Sequence, residues 1–222
     1  MIGRRVAAPV RERLEGRSLT VAGGGRDAAY AEVDGFVLAL TARGIPLMPN
    51  GIAWPGAAPA AGMRVTVAGG ETWDPTLRFG DDAGRRGAEI LDALGVEPAG
   101  VIVRAVHDPA VAADLIGRGP GLTPEGDDLV AAAAAAVVAG PWTDAAKAAW
   151  VGQLVPSDLR RRTTALSATL LELATAAQVI EPLQALFGRD WRPALDRLLR
   201  VGHSTGRAYA VAAASAATVI AR

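Results

Sequence analysis

Short alternating or wholly apolar runs fill the first 80 positions, and helical spacing takes over afterwards. Ser18-Leu-Thr-Val21, Tyr30-Ala-Glu-Val33, Phe36-Val-Leu-Ala-Leu-Thr41 and Met63-Arg-Val-Thr-Val67 have strand texture. Asp34-Gly35 is a hairpin signal between the second and third of these. Ile45 to Trp54 mixes apolar residues with Pro46, Pro49 and Asn50-Gly51, which predicts an edge strand and a turn. Residues 1–17 are polar and arginine-rich and read as a leader into the fold. The expectation for residues 1–80 is a small antiparallel sheet or partial barrel.

Beyond residue 81 the periodicity changes. Ala88, Ile90, Leu91 and Leu94 make an apolar stripe that Gly95 closes. Val101 to Val106 fits a strand or a helix start equally well. Asp108-Pro-Ala opens a helix whose expected buried face is Val111, Leu115 and Ile116. Further helices are predicted near 125–139, 143–154, 163–177, 178–188, 192–200 and 204–220, with Trp142, Trp150 and Trp191 as packing anchors. The class is therefore α+β: a β-rich scaffold over 1–80, then a mostly helical region over 81–222. Strands that do not alternate with helices argue against a doubly wound sheet.

Three polar places interrupt the helical region. Leu115 to Leu129 carries Gly117, Gly119, Gly121 and Gly126, Pro120 and Pro124, then Asp127-Asp128 in the first turn of a helix. Such a turn either holds an anion or catalytic carboxylates at a helix start, or is a tight turn with a dipole-complementing acidic turn. Arg160-Arg-Arg-Thr-Thr-Ala-Leu-Ser167 sets arginines before Thr163 and Thr164, either of which suits a helix cap, with Ser167 a turn later. Gly202-His-Ser-Thr-Gly206 opens the last helix in the same manner. Convergence of the three would build a polar pocket between helices.

Composition removes several classes. Half of the 222 residues are hydrophobic, and 23 basic residues balance 23 acidic ones, so nothing favours nucleic acid or an anionic membrane. The absence of cysteine excludes disulfides, thiol catalysis and iron–sulfur ligation. Lys147, the only lysine, has no supporting motif. The glycine turn lacks a Gly-Lys-Ser/Thr ending and follows a helix, so neither a P-loop nor a dinucleotide fingerprint fits. Asp127 and Asp128 supply oxygen ligands of the kind magnesium takes, whereas His107 and His203 are too far apart in sequence for a zinc motif. The apolar tracts are short for a membrane span, and no signal-like segment precedes Ser18, which predicts a cytoplasmic chain.

Gly117 to Leu129 resembles the signature of the AllH family, and Thr163-Thr-Ala-Leu-Ser167 and Gly202-His-Ser-Thr-Gly206 resemble its two downstream segments. The Pro46 to Trp54 stretch is similar to a proline- and asparagine-rich region of the family's N-terminal part. Glu125, Leu129, Ala132 and Ala208 depart from the residues usual there, namely serine, phenylalanine, glycine and aspartate. The resemblance implies a carbamoyltransferase-like subunit of purine or allantoin nitrogen catabolism, binding carbamoyl phosphate or a small carboxylate. It also implies companion subunits of acyl-CoA-synthetase-like character. The alternative is a noncatalytic assembly or metabolite-sensing subunit. On the enzyme reading, Asp127, Asp128 and His203 are the candidate catalytic groups. Gly117, Gly119, Gly121, Thr123, Gly126, Arg162, Thr163, Thr164, Ser167, Gly202, Ser204, Thr205 and Gly206 are the candidate ligand-binding positions, with magnesium at Asp127 and Asp128.

Overall fold

A computed structural model describes residues 5–220 and divides the chain into two compact units, Met1–Pro75 and Thr76–Arg222. The first unit contains β1 (Arg5–Ala7), α1 (Ala8–Leu14), β2 (Ser18–Thr20), β3 (Gly23–Gly24), β4 (Ala28–Val33), β5 (Phe36–Thr41), β6 (Gly51–Ala53), β7 (Arg64–Thr66) and β8 (Glu71–Trp73). Six strands form one sheet in the order β3-β4-β5-β6-β1-β8, and β2 pairs with β7.

The N-terminal β-rich region is present, but it is neither purely antiparallel nor closed. β5–β6 and β1–β8 are parallel, and the strand order runs between two ends without barrel closure. The expected Asp34-Gly35 hairpin joins β4 to β5, with both turn residues at positive φ, 51° and 78°. The expected edge strand at 45–54 is instead β6, an interior strand between β5 and β1. Pro46 and Pro49 precede it, so neither removes a donor from its ladder. Buried Asn50 holds the crossing by donating from Nδ2 to the Val37 carbonyl at 2.8 Å.

The leader reading of 1–17 also gives way, apart from residues 1–4, which lie outside the described residues. Val6, Ala7, Val10 and Leu14 are buried, and β1 lies inside the sheet. A three-residue strand followed directly by a short helix is too brief to show a period among flanking arginines.

The second unit is helical. Its helices are α2 (Ala83–Leu94), α3 (Gly100–His107), α4 (Pro109–Ala113), α5 (Glu125–Ala139), α6 (Asp144–Leu154), α7 (Leu159–Arg162), α8 (Ala165–Ala174), α9 (Glu181–Leu186), α10 (Trp191–Leu198) and α11 (Thr205–Ile220). The ambiguous 101–106 stretch is helix α3. Gly95 closes α2 in the left-handed region, and the Asp108 carboxylate caps α4 by accepting from the Ala110 amide at 3.0 Å.

α5 is the central rod. Every residue from Val130 to Val137 is buried, and α11, itself alanine-rich, packs along it. Alanine on both faces lets the helix backbones approach closely and leaves little side-chain entropy to lose. Gly87 continues the theme on α2, where a Cβ would stand 2.6 Å from the Ala214 carbonyl. Trp150 anchors α6 as expected, its Nε1 donating to the Ala105 and Val106 carbonyls at 3.1 Å each. Among the described residues no helix is long and apolar enough to cross a membrane.

Candidate functional site

The glycine turn brings the start of α5 against the starts of two other helices. At Gly117 (φ 81°) an added Cβ would collide with the Arg162 carbonyl, and at Gly126 with the Leu115 carbonyl. Both glycines therefore serve close backbone crossings. Gly119 and Gly121 adopt φ of 117° and 103° in the exposed tip, which ends at Leu122. The tip is tied down from below. Thr164 donates to the Leu122 carbonyl at 2.6 Å and accepts from the Ser167 amide at 3.1 Å, so one hydroxyl caps α8 and fastens the turn.

Asp127 and Asp128, adjacent on the first turn of α5, point to different neighbours. Both are 2% exposed. Asp127 is held at both oxygens: Oδ1 accepts from the Gly117 amide at 2.7 Å, and Oδ2 accepts from the Thr163 hydroxyl. It locks the glycine turn to the segment between α7 and α8. Asp128 faces the other way, toward Thr123 and Thr205, whose hydroxyls meet at 3.2 Å. Its Oδ2 is buried without any hydrogen-bond partner, as is the Ser167 hydroxyl on α8. Burial pushes the Asp128 carboxyl from 3.8 up to about 7. The Thr205 hydroxyl opposes the rise, Asp127 adds to it, Thr123 opposes it, and Glu125 adds to it.

Several of the helix-start amides are already occupied. The amides of Gly126, Asp127 and Asp128 donate to the carbonyls of Arg118 (2.8 Å), Pro124 (2.9 Å) and Pro124 (3.1 Å). On α11, Gly206 and Ala208 donate to the carbonyls of Val201 and Ser204. Gly206 is a third crossing point, because an added Cβ would overlap the Leu198 carbonyl. Gly202 takes the left-handed φ of 61° that starts this corner, with Thr205 packed over it.

The structure thus joins Gly117, Thr123, Gly126, Asp127, Asp128, Thr163, Thr164 and Thr205 in one network. Arg162 borders it, but its guanidinium donates to the Ala113 carbonyl at 2.8 Å. His203 is exposed on the turn before α11, beside half-buried Ser204. No cluster of three or more histidine, aspartate or glutamate side chains suited to a metal is found among the described residues. An open groove of about 680 Å³, lined in part by Arg85, Asp92, Glu97 and Thr218, shares no residue with this network.

Sequence reasoning missed Tyr209. It is 5% exposed and sits four residues after Thr205, hence on the same face of α11. Its phenol is held well above the ordinary tyrosine value by burial, then by the charges of Asp128 and Asp127. The i, i+4 spacing was a usable signal once Thr205 was a candidate.

The network lies inside one continuous stretch of sequence similarity. Residues 115–217 match the AllH family, oxamate carbamoyltransferase subunit AllH. The match spans a little under half of the chain, which supports the assignment at a coarse level and for that segment. It begins at the glycine turn and takes in α5 and most of α11, which carry Asp128 and Thr205, and α8, which Thr164 caps. No curated protein and no solved structure matches the chain.

Proposed function

We propose that this chain is a carbamoyltransferase-type subunit that works with companion subunits of acyl-CoA-synthetase-like character and binds carbamoyl phosphate or a small carboxylate in purine or allantoin nitrogen catabolism. The observation that carries the reading is the unpartnered Asp128 oxygen, buried at the junction of three helix starts within the AllH-like segment. A carboxyl near 7 exchanges a proton readily at neutral pH, which suits general acid–base work.

In carbamoyl transfer the acceptor nitrogen attacks the carbamoyl carbon. The new C–N bond forms as the C–O bond to phosphate breaks, and phosphate departs with the electron pair. Asp128 takes the proton that the acceptor nitrogen loses. The anionic end falls to the exposed Arg118 of the glycine turn and Arg207 of the first turn of α11, with the half-buried Thr123 and Thr205 hydroxyls beside them. Tyr209 adds a buried phenol within reach of the Asp128 charge, and Asp127 fixes the turn on which the arrangement stands.

A noncatalytic assembly or metabolite-sensing role draws on a different observation. Asp127, Gly117, Gly126 and Gly206 are all engaged in holding the chain crossings, so much of the motif is used internally. The two readings separate in an assay with labelled carbamoyl phosphate and oxamate, with and without companion subunits. The catalytic reading expects carbamoyl transfer in the complete complex and a loss of about 100-fold or more for Asp128→Asn. Full turnover by that variant, or none by the unmodified complex, rejects it.

A further inference from the structure

The carboxylate oxygen left over at this junction is an acceptor, and its surroundings are negative. Asp127 has no free oxygen, because Gly117 and Thr163 occupy both. Three α5 amides, those of Gly126, Asp127 and Asp128, already donate to the Arg118 and Pro124 carbonyls. Besides the unpartnered Ser167 hydroxyl on α8, what remains is the carboxylate oxygen Asp128 Oδ2, buried and unpartnered. The charged and titratable groups acting on it are Asp127 and Glu125 from α5, with the Tyr209 phenol from α11, and Thr123 and Thr205 bring hydroxyls. No arginine or lysine pairs with Asp127 or Asp128 among the described residues.

A phosphate placed against Asp128 would meet two adjacent carboxylates, Asp127 and Asp128. A nitrogen bearing hydrogens would instead meet one vacant carboxylate oxygen and two hydroxyls able to accept. Buried polar atoms are nearly always paired, and a buried carboxylate left unpaired is costly. The partner that removes the cost is a compact N–H donor, best of all a positively charged one. Thr123 and Thr205 are both half-buried, so the Asp128 carboxyl lies one side chain below the surface.

We infer that Asp128, with Thr123 and Thr205, forms a recognition site for an ammonium or small amine nitrogen and not for a phosphate. This deepens the proposed function, on which its biological meaning rests, by giving the pocket to the nitrogen-bearing component of the transfer.

The test is thermal unfolding of the full chain at matched ionic strength in ammonium, methylammonium, potassium or sodium chloride. At pH 8 ammonium or methylammonium raises Tm by about 3–6 °C over potassium once its concentration is tenfold above Kd. The rise disappears at pH 5, where Asp128 is protonated, and in Asp128→Asn. The pH arm uses the unmodified protein, so it stands even where that variant fails to fold. Equal Tm values in all four salts at pH 8, or a rise that persists at pH 5, overturns the inference. An ammonium response without carbamoyl transfer keeps this site and rejects the proposed function. Transfer with no amine response does the reverse.

Discussion

Asp128→Asn should make the protein more stable at alkaline pH, because the native carboxylate is held against its own preference. Burial raises its folded value from 3.8 to about 7. Between those limits the folded state carries a proton that the unfolded chain has released, so stability falls as pH rises. Each pH unit in that window is worth about 1.4 kcal/mol, and the whole window therefore about 4 kcal/mol. The stabilising contribution is fully present below 3.8 and lost once pH passes 7. Asparagine keeps the shape of the side chain and carries no charge, and its amide finds acceptors in Thr123 and Thr205. At pH 8 the variant should exceed the unmodified chain by up to about 4 kcal/mol, or about 8–16 °C in Tm for a chain of this size. By pH 4 the two should nearly coincide. Urea or thermal melts at pH 4, 6 and 8 read the difference directly. A variant less stable than the parent at pH 8, or a difference that does not change with pH, would refute the reasoning and mean that Asp128 is satisfied in the fold.

The neighbouring carboxylate should respond in the opposite sense. Asp127→Asn breaks charge-assisted bonds from the Gly117 amide and the Thr163 hydroxyl, and is expected to lower stability by about 2–4 kcal/mol in urea melts. A loss below 0.5 kcal/mol would show that the glycine turn does not depend on it. Gly206→Ala places a methyl against the Leu198 carbonyl and should lower Tm steeply or prevent folding, measured by circular dichroism. Its control is Gly152→Ala in α6, where nothing lies within 4 Å and helix propensity predicts a gain of about 0.5–1 kcal/mol. Equal effects from the two alanines would dismiss the close-crossing explanation.

Several local features were legible in the sequence because their causes are local. Asp34-Gly35 is a hairpin turn since both residues tolerate positive φ, and Gly95 ends α2 for the same reason. Asp108 and Thr164 cap helices because a short polar side chain reaches an amide two or three residues ahead. The change from alternating to helical spacing separated the β-rich part from the helical part, since side-chain period follows directly from backbone geometry. The Gly117 to Asp128 stretch marked the junction of helix starts before any contact was visible.

Tertiary structure alone decided the rest. The three residues of β1 show no period, and only pairing with β6 and β8 makes them an interior strand. Asp127 and Asp128 are the same residue type in adjacent positions, and their sequence gives no ground to tell them apart. One helical step rotates their side chains by about 100°. That rotation takes Asp127 to the Gly117 amide and Thr163, and Asp128 to an unpaired place beside Thr123, Thr205 and Tyr209. Those neighbours lie up to 81 positions away. Which carboxylate is satisfied and which is left to act is therefore a property of how the helices pack, and no local pattern encodes it.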